Sequence, residues 1–257
     1  MVRPLLELRD VSFSYAKDSW ALRNVSLTVF PGERVSLLGS NGAGKSTLLL
    51  MMNGVEQPCR GSVWLDGEQL SGAREHATAL RRSVGVLLQD PDDQLIAPIV
   101  DQDVAIGPLL AGVDAQTARR TVREALVEME IEHLASRPVH ELSFGEKKRV
   151  ALAGIIALQP RILLLDEPTA GLDPSGVRAL TRLLEGVQKQ GCAIVQTTHD
   201  VTFAYEWSDS AYVLESGHLL KGGDAGEVLS DGQMLESAGL ELPIPLRPTL
   251  TARRFSR

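Results

Sequence analysis

"GSNGAGKST", residues 39–47, decides how the rest of the chain is read. It matches G-x-x-x-x-G-K-[ST], and it lies between "ERVSLLG", a short apolar run typical of a buried strand, and "KSTLLLMMNGV", a helical pattern. That strand–loop–helix context is the one the pattern requires. Across Gly39, Ser40, Asn41, Gly42, Ala43 and Gly44 the small residues let backbone N–H groups curl around phosphate oxygens, and the helix that follows adds its positive end. Lys45 is then expected to reach the β- and γ-phosphates, Ser46 to ligate Mg²⁺, and Thr47 to complete the nucleotide-binding stretch. The plain alternative is a glycine-rich turn with a chance lysine, and the flanking elements speak against it.

"RILLLDEP", residues 161–168, supplies the complement. Its apolar core predicts a buried strand, and Asp166 at the end of that strand is placed to hold the Mg²⁺ shell. Glu167 follows directly, a candidate general base for an attacking water. A strand ending in two solvated acids is the competing reading, and the phosphate loop disfavours it. The two stretches together predict Mg²⁺-nucleotide hydrolysis.

Working outward, strand and helix signals alternate. "LLELRDVSFSY", "LRNVSLTVF", "SVWLDGEQL" and "SVGVLLQ" read as strands. From about residue 100 to 160 the pattern turns helical, most clearly in "AQTARRTVREALVEMEIEHL". Strand signals return at "RILLLDEP" and "CAIVQTTHD", separated by the helix "SGVRALTRLLEGVQKQ". A hairpin, "SAYVLESGHLLKGG", and a short helix around 225–239 follow, and "LPIPLRPTLTARRFSR" is expected to be a loose tail. The result is an α/β core interrupted by a helical lobe.

Composition narrows the function. The chain has 257 residues, 44% hydrophobic and 23% charged, enough for one large domain or one domain with an inserted lobe. With 33 acidic and 26 basic residues the formal charge is −7, which argues against binding nucleic acid by phosphate neutralisation. The two cysteines, Cys59 and Cys192, form no C-x-x-C pair, as expected in a reducing setting. "MVRPLLELRD" lacks the apolar stretch of a signal peptide. The most apolar segment, "VALAGIIAL", has nine residues, against the ~20 of a membrane-spanning helix. The five histidines show no H-x₃₋₅-H spacing, so no bound transported metal is expected on this chain.

Four further pieces complete a pattern: Gln89 after "VGVLL", "LSFGE" at 142–146, "AGLD" at 170–173, and His199 in "TTHD". Each has a bland reading. Gln89 ends a strand, Ser143 with Glu146 makes a capping box, Asp173–Pro174 is a good helix start, and a lone His is usually a core residue. In this order, over nearly the whole chain, they resemble the ATP-binding subunits of ABC transporters. The resemblance implies a P-loop NTPase core with an antiparallel β subdomain and an inserted helical subdomain. An ABC ATPase domain would cover 1–225, with the helical subdomain at about 90–160 and a short C-terminal helix and tail at 226–257.

It also implies two copies facing head to tail around two ATP molecules. Each ATP would touch the phosphate loop of one copy and the Ser143, Phe144, Gly145, Glu146 turn of the other. Gln89 would contact Mg²⁺ or the water, His199 would hold the γ-phosphate, Asp173 would link the two sites and Tyr15 would stack on adenine. The usual turn is L-S-G-G-Q, so Phe144 and Glu146 are departures. Glu146 keeps the capping-box bond but brings a carboxylate near ATP unless it folds back.

"LSFGEKKRVALAG" with "DEPTAGLDP", and "LLQDPDDQLIAPIVDQDVAIGP" at 87–108, are similar to the ATPases of energy-coupling-factor importers, above all the cobalt and nickel group. That resemblance implies a peripheral protein on the cytoplasmic face of the cell membrane. Its partners would be integral membrane subunits, a coupling protein and a substrate-binding protein, with no nucleic acid. Cobalt, nickel and a vitamin all stay open as cargo. A soluble ABC ATPase acting on nucleic acid is the alternative, although such proteins usually carry two of these domains or long coiled-coil insertions. A GTPase would need an N-K-x-D motif, which the sequence lacks. In the acidic run at 90–103, some of Asp92, Asp93, Asp101 and Asp103 are expected to receive arginines from the membrane partner, beside apolar Leu95, Ile96, Ile99 and Val100. A solvated acidic loop is the bland reading.

Overall fold

The computed structural model describes residues 2–16, 19–70, 78, 80, 81 and 83–247. Its centre is a six-stranded sheet in the order β10-β9-β3-β8-β7-β6. The strands are β3 (Arg34–Leu38), β6 (Val84–Leu87), β7 (Ile162–Leu165), β8 (Ala193–Thr198), β9 (Ser210–Glu215) and β10 (His218–Asp224). From β9 to β6 all neighbours are parallel, and β10 closes the edge as an antiparallel hairpin partner of β9. β7 and β8 are buried at every position, as expected of parallel strands covered on both faces.

Alternation along β7 sorts the two faces. Leu163 and Leu165 share a core with the helices α2 (Val100–Leu110), α3 (Ala115–Glu128), α4 (Phe144–Ile156) and α5 (Pro174–Lys189). Ile162 and Leu164 point the other way, onto α1 (Lys45–Met52) and a second, four-stranded antiparallel sheet. That sheet runs β2-β1-β4-β5, from β1 (Leu6–Ala16), β2 (Ser19–Val29), β4 (Arg60–Leu65) and β5 (Glu68–Gln69), with Leu6 opposite Val29 and Leu8 opposite Leu27. Burying each such Leu, Val or Ile is worth about 1.5–3 kcal/mol, so the two cores fix the sheet between its layers.

Because Leu38 pairs with Thr198 and Leu87 with Leu165, the parallel strands end together. Gly39, Gln89, Asp166 and His199 therefore emerge along one edge, where open α/β sheets bind ligands.

The C-terminal region departs from the sequence expectation twice. The helix expected around 225–239 is two short helices, α7 (Ala225–Leu229) and α8 (Gly232–Ser237), because Asp231 starts α8 afresh by accepting from Met234 N–H. Residues 242–247 are not loose. Leu240 is buried and Leu242 packs in a core shared with α6 (Val201–Trp207), β9 and α7, and Ile244 N–H donates to Thr202 Oγ1 at 3.0 Å. The rest of the expected tail, 248–257, lies outside the described residues. Among the described residues no helix is long and apolar enough to cross a membrane.

Candidate active site

The phosphate loop is built around backbone that only glycine tolerates. Gly39 has φ +147, and a Cβ there would collide with the Leu214 carbonyl oxygen. Gly44, at φ +105, is the N-cap of α1, and its Cβ would stand 2.7 Å from Ala21 O. The loop thus lies flat against β9 and β2. Lys45 is buried, and its ammonium donates to Gly39 O at 2.8 Å and Ser40 O at 3.2 Å, bracing the loop from within.

From this loop a chain of hydrogen bonds crosses to the ends of β7 and β8. Ser46 Oγ donates to Asp166 Oδ2 at 3.0 Å, and Thr197 Oγ1 donates to Asp166 Oδ1 at 2.6 Å. The same Thr197 oxygen accepts from Glu167 N–H at 2.9 Å. Glu167 Oε2 lies 3.0 Å from His199 Nδ1. Its side chain is 13% exposed against 74% for His199, so the carboxylate is sheltered and the imidazole faces outward. Glu167 sits at φ +46, an uncommon conformation for a residue with a side chain.

Lys45, Ser46, Asp166, Glu167 and His199 line one cavity of about 1050 Å³, open to solvent, together with Tyr15, Ser40, Asn41, Gly42, Thr47 and Gln89, while Thr197 lies buried behind it. Tyr15 Oη is 3.2 Å from Thr47 Oγ1, which stands the ring at the mouth of the loop. The cavity size suits a nucleotide. The Ser46 hydroxyl, the Asp166 carboxylate and the Gln89 amide on the same wall are hard oxygen donors, the set Mg²⁺ takes when phosphates and water complete its shell.

The 143–146 turn lies elsewhere. None of Ser143, Phe144, Gly145 or Glu146 lines the cavity, and neither does Asp173. Ser143 caps α4 in a full capping box. Its N–H and its hydroxyl both donate to Glu146 Oε2 at 2.8 Å, so the Glu146 carboxylate does fold back. Those bonds, first that from the Ser143 backbone, hold the Glu146 carboxyl below the usual carboxylate range. Asp173 caps α5, accepting from Gly176 N–H at 2.6 Å and from Ser175 Oγ, and the Gly176 bond above all lowers its carboxyl.

Within the acidic run the structure corrects one position, Asp103. Asp103 is buried and accepts from Ile96 N–H at 2.8 Å and Ala97 N–H at 2.7 Å, so it holds its own loop and is not open to an arginine. Asp92 pairs with Lys147 at 2.7 Å. Val100 belongs to the core, and Leu95 packs against it. Asp93, Asp101 and Ile96 remain exposed.

Four participants went unread in the sequence. Thr197 looks like any polar residue of a strand until the fold sets it between Asp166 and Glu167. Glu241 and Arg247, joined at 2.7 Å, line the cavity from the C-terminal segment. Lys148 is 1% exposed and donates to the carbonyls of Pro168 and Ala170, both at 2.8 Å. A signal for it existed: 148, 151, 152 and 155 are spaced i, i+3, i+4, i+7, which puts a lysine on the apolar stripe of α4.

Comparison with known proteins agrees with this geometry. The family model described as "ABC transporter" matches residues 22–170. The chain is 43% identical over 239 residues to the energy-coupling factor transporter ATP-binding protein EcfA of Methanocaldococcus jannaschii, covering 93% of this chain and 86% of that one. It is 43% identical over 251 residues to the cobalt import ATP-binding protein CbiO of Rhodobacter capsulatus, covering 98% and 90%. Among solved structures, cbiO1 of Clostridium perfringens, part of the ABC transporter complex cbiONQ, superposes with a TM-score of 0.83 at 36% identity over 95% of this chain and 96% of that one.

Proposed function

The chain belongs to the ABC transporter family as an ATP-hydrolysing subunit, and from that premise we propose that it drives an importer of the energy-coupling-factor type. In this reading two copies close head to tail around two ATP molecules, at the cytoplasmic face of the membrane, against integral membrane subunits that carry the cargo. Cobalt is the cargo favoured over nickel or a vitamin, since a relative covering nearly the whole chain is a cobalt import protein. The net charge of −7 speaks against the nucleic-acid alternative.

One observation carries the hydrolysis: the hydrogen-bonded series Ser46–Asp166–Thr197–Glu167, ending at His199, beside a loop shaped for phosphates. The loop N–H groups and Lys45 hold the β- and γ-phosphates, Lys45 exchanging its carbonyl partners for phosphate oxygens. Mg²⁺, when bound, screens the phosphate charge; Ser46, Asp166 and Gln89 are the residues that would hold it. Glu167 takes a proton from water as the water oxygen bonds to the γ-phosphorus, and the bond from that phosphorus to the β–γ bridging oxygen breaks, leaving ADP and phosphate. His199 orients the Glu167 carboxylate through Nδ1 and presents its other nitrogen toward the γ-phosphate.

The 143–146 turn supports the dimer. It offers exposed helix N-terminal N–H groups, a site for an anion worth about 0.3–1 kcal/mol when exposed and up to ~2 when partly buried. Its own cavity is out of reach, so the anion it would meet belongs to a second copy. Asp93, Asp101 and Ile96 remain as the part of the acidic run offered to a basic helix of the membrane subunits.

Glu167→Gln tests the assignment. Hydrolysis should slow by ~10²–10⁴ while ATP binding persists, and the protein should run as a dimer with Mg²⁺-ATP. A variant that hydrolyses at the wild-type rate refutes the role of Glu167. Cargo is tested by purifying the complex with its membrane subunits and measuring bound metal.

A further inference from the structure

Among the described residues Lys148 is the most deeply buried charged side chain outside the nucleotide cavity, and the hydrolysis just described does not use it. An ammonium has three hydrogens and no acceptor. Here two of them meet Pro168 O and Ala170 O at 2.8 Å, and Glu167 O lies at 3.5 Å. All three carbonyls belong to the loop that starts with Glu167 and leads to Asp173. The Glu167 peptide is therefore held from both sides, its N–H by Thr197 and its carbonyl flank by Lys148.

At its other end Lys148 belongs to α4, one helical turn beyond Phe144. Its ammonium lies 5.0 Å from the centre of the Phe144 ring. That ring in turn lies against Gly171, where an added Cβ would stand 2.8 Å from the ring edge. Two contacts, one polar and one apolar, thus join the 143–146 turn to the loop between Glu167 and Asp173. Burial of the lysine is opposed by Asp90 and Glu167, and it still pushes the ammonium down to about 8. An apolar residue would fill the same space without that desolvation but would leave the carbonyls unpaired, so the position calls for a donor.

We propose that Lys148 is a positioning residue for hydrolysis: it fastens the loop that aims Glu167 to the turn that meets the ATP of the other copy. Seating of that turn and placement of the general base then move as one body, within each copy. This rests on the dimer reading above. It assigns Lys148 no contact with ATP.

The test uses the full chain as Lys148→Met and Lys148→Gln, each alone and combined with Glu167→Gln. Methionine fills the space without a donor, and glutamine keeps an amide with two hydrogens. Measured are ATP affinity by equilibrium binding, kcat, and the melting temperature as a check on folding. Lys148→Met should lower kcat about 100-fold, the scale of an ångström of misplacement at a reacting centre, with ATP affinity within about threefold of wild type. Lys148→Gln should lose about tenfold. With Glu167 already replaced, each Lys148 change should alter the residual rate less than about threefold, since the group it aims is gone.

A general packing role predicts equal losses in both backgrounds, and that result overturns the proposal. So does a kcat within threefold of wild type for Lys148→Met. If Lys148→Met does not fold, Lys148→Gln decides alone: an unchanged rate, or a loss that persists beside Glu167→Gln, overturns it. Glu167→Gln by itself reports separately on the hydrolysis reading, so the two failures are distinct.

Discussion

Replacing Glu146 by Gln should tighten ATP-driven dimerisation, and the structure sets the size of the effect. In each copy the Ser143 hydroxyl is engaged by Glu146 Oε2 at 2.8 Å, a bond it must leave to donate to a phosphate on the other copy. A hydrogen bond to a charged acceptor is worth roughly 1.5–3 kcal/mol against about 0.5–1.5 for a neutral one. Gln thus weakens the hold by about 1 kcal/mol per turn. With two turns in a dimer the gain is ~2 kcal/mol, close to 30-fold in dissociation constant. Removing a carboxylate from the neighbourhood of the phosphates acts in the same direction, and salt screens that part.

The isolated chain at neutral pH should lose stability on the scale of that weakened bond, about 1 kcal/mol, while Gln keeps the capping-box geometry. Its acid dependence should change. The Glu146 carboxyl is lowered in the fold, so its contribution is present above the ordinary carboxylate value and lost as pH falls through the folded value. Glu146→Gln lacks that loss. The assay is sedimentation velocity with Mg²⁺-ATP, in a Glu167→Gln background that prevents turnover, at two salt concentrations. In Ser143→Ala the gain from Glu146→Gln should shrink, since no hydroxyl remains to be released. Weaker or unchanged dimerisation on Glu146→Gln would refute the reasoning and point to a contact of Glu146 with the other copy.

Two other outcomes are expected. Ser143→Arg should block hydrolysis yet spare ATP binding; mixed with Lys45→Ala it should regain activity that neither parent has, through the one composite site free of both changes, and full activity of Ser143→Arg alone would remove the trans role. Asp93→Asn with Asp101→Asn should leave the basal ATPase of the isolated chain intact but weaken assembly with the membrane subunits, an exposed pair giving ~0.2–1 kcal/mol and a desolvated one ~2–5 when truncated; normal assembly and transport would make the run a solvated face.

Much of the site was legible because its chemistry is local in sequence. Gly39, Gly44, Lys45 and Ser46 fall within one turn of chain, and Asp166 and Glu167 end one apolar run. What stayed hidden depends on which strands are neighbours. The sequence does not say that β8 lies between β3 and β7, and only that order brings Thr197 to both Asp166 and Glu167. Roles within the acidic run are hidden for a related reason. Its aspartates look alike as charges, yet Asp103 satisfies two loop N–H groups and Asp92 finds Lys147, which is 55 residues away. The C-terminal stretch was misread by composition: prolines and arginines suggested a free tail, while Leu240 and Leu242 were enough to bind it to α6 and β9.

Phe144 shows why the turn departs from two glycines. A bare turn would leave the carbonyls of Pro168 and Ala170 and the ammonium of Lys148 closer to solvent, where water competes for each bond. The Phe144 ring, 38% exposed, spreads over Lys148 and against Gly171. Gly171, at φ +76, accepts that approach because it has no Cβ. Its neighbour Leu172 packs against the helical core, and Asp173 then caps α5. So a residue that reads in sequence as an exposed aromatic at a helix start is the lid of a buried polar joint. Through that joint the turn offered to one ATP, the general base at the other and the cap of α5 form one body, and force at the turn reaches Glu167 without passing through the nucleotide.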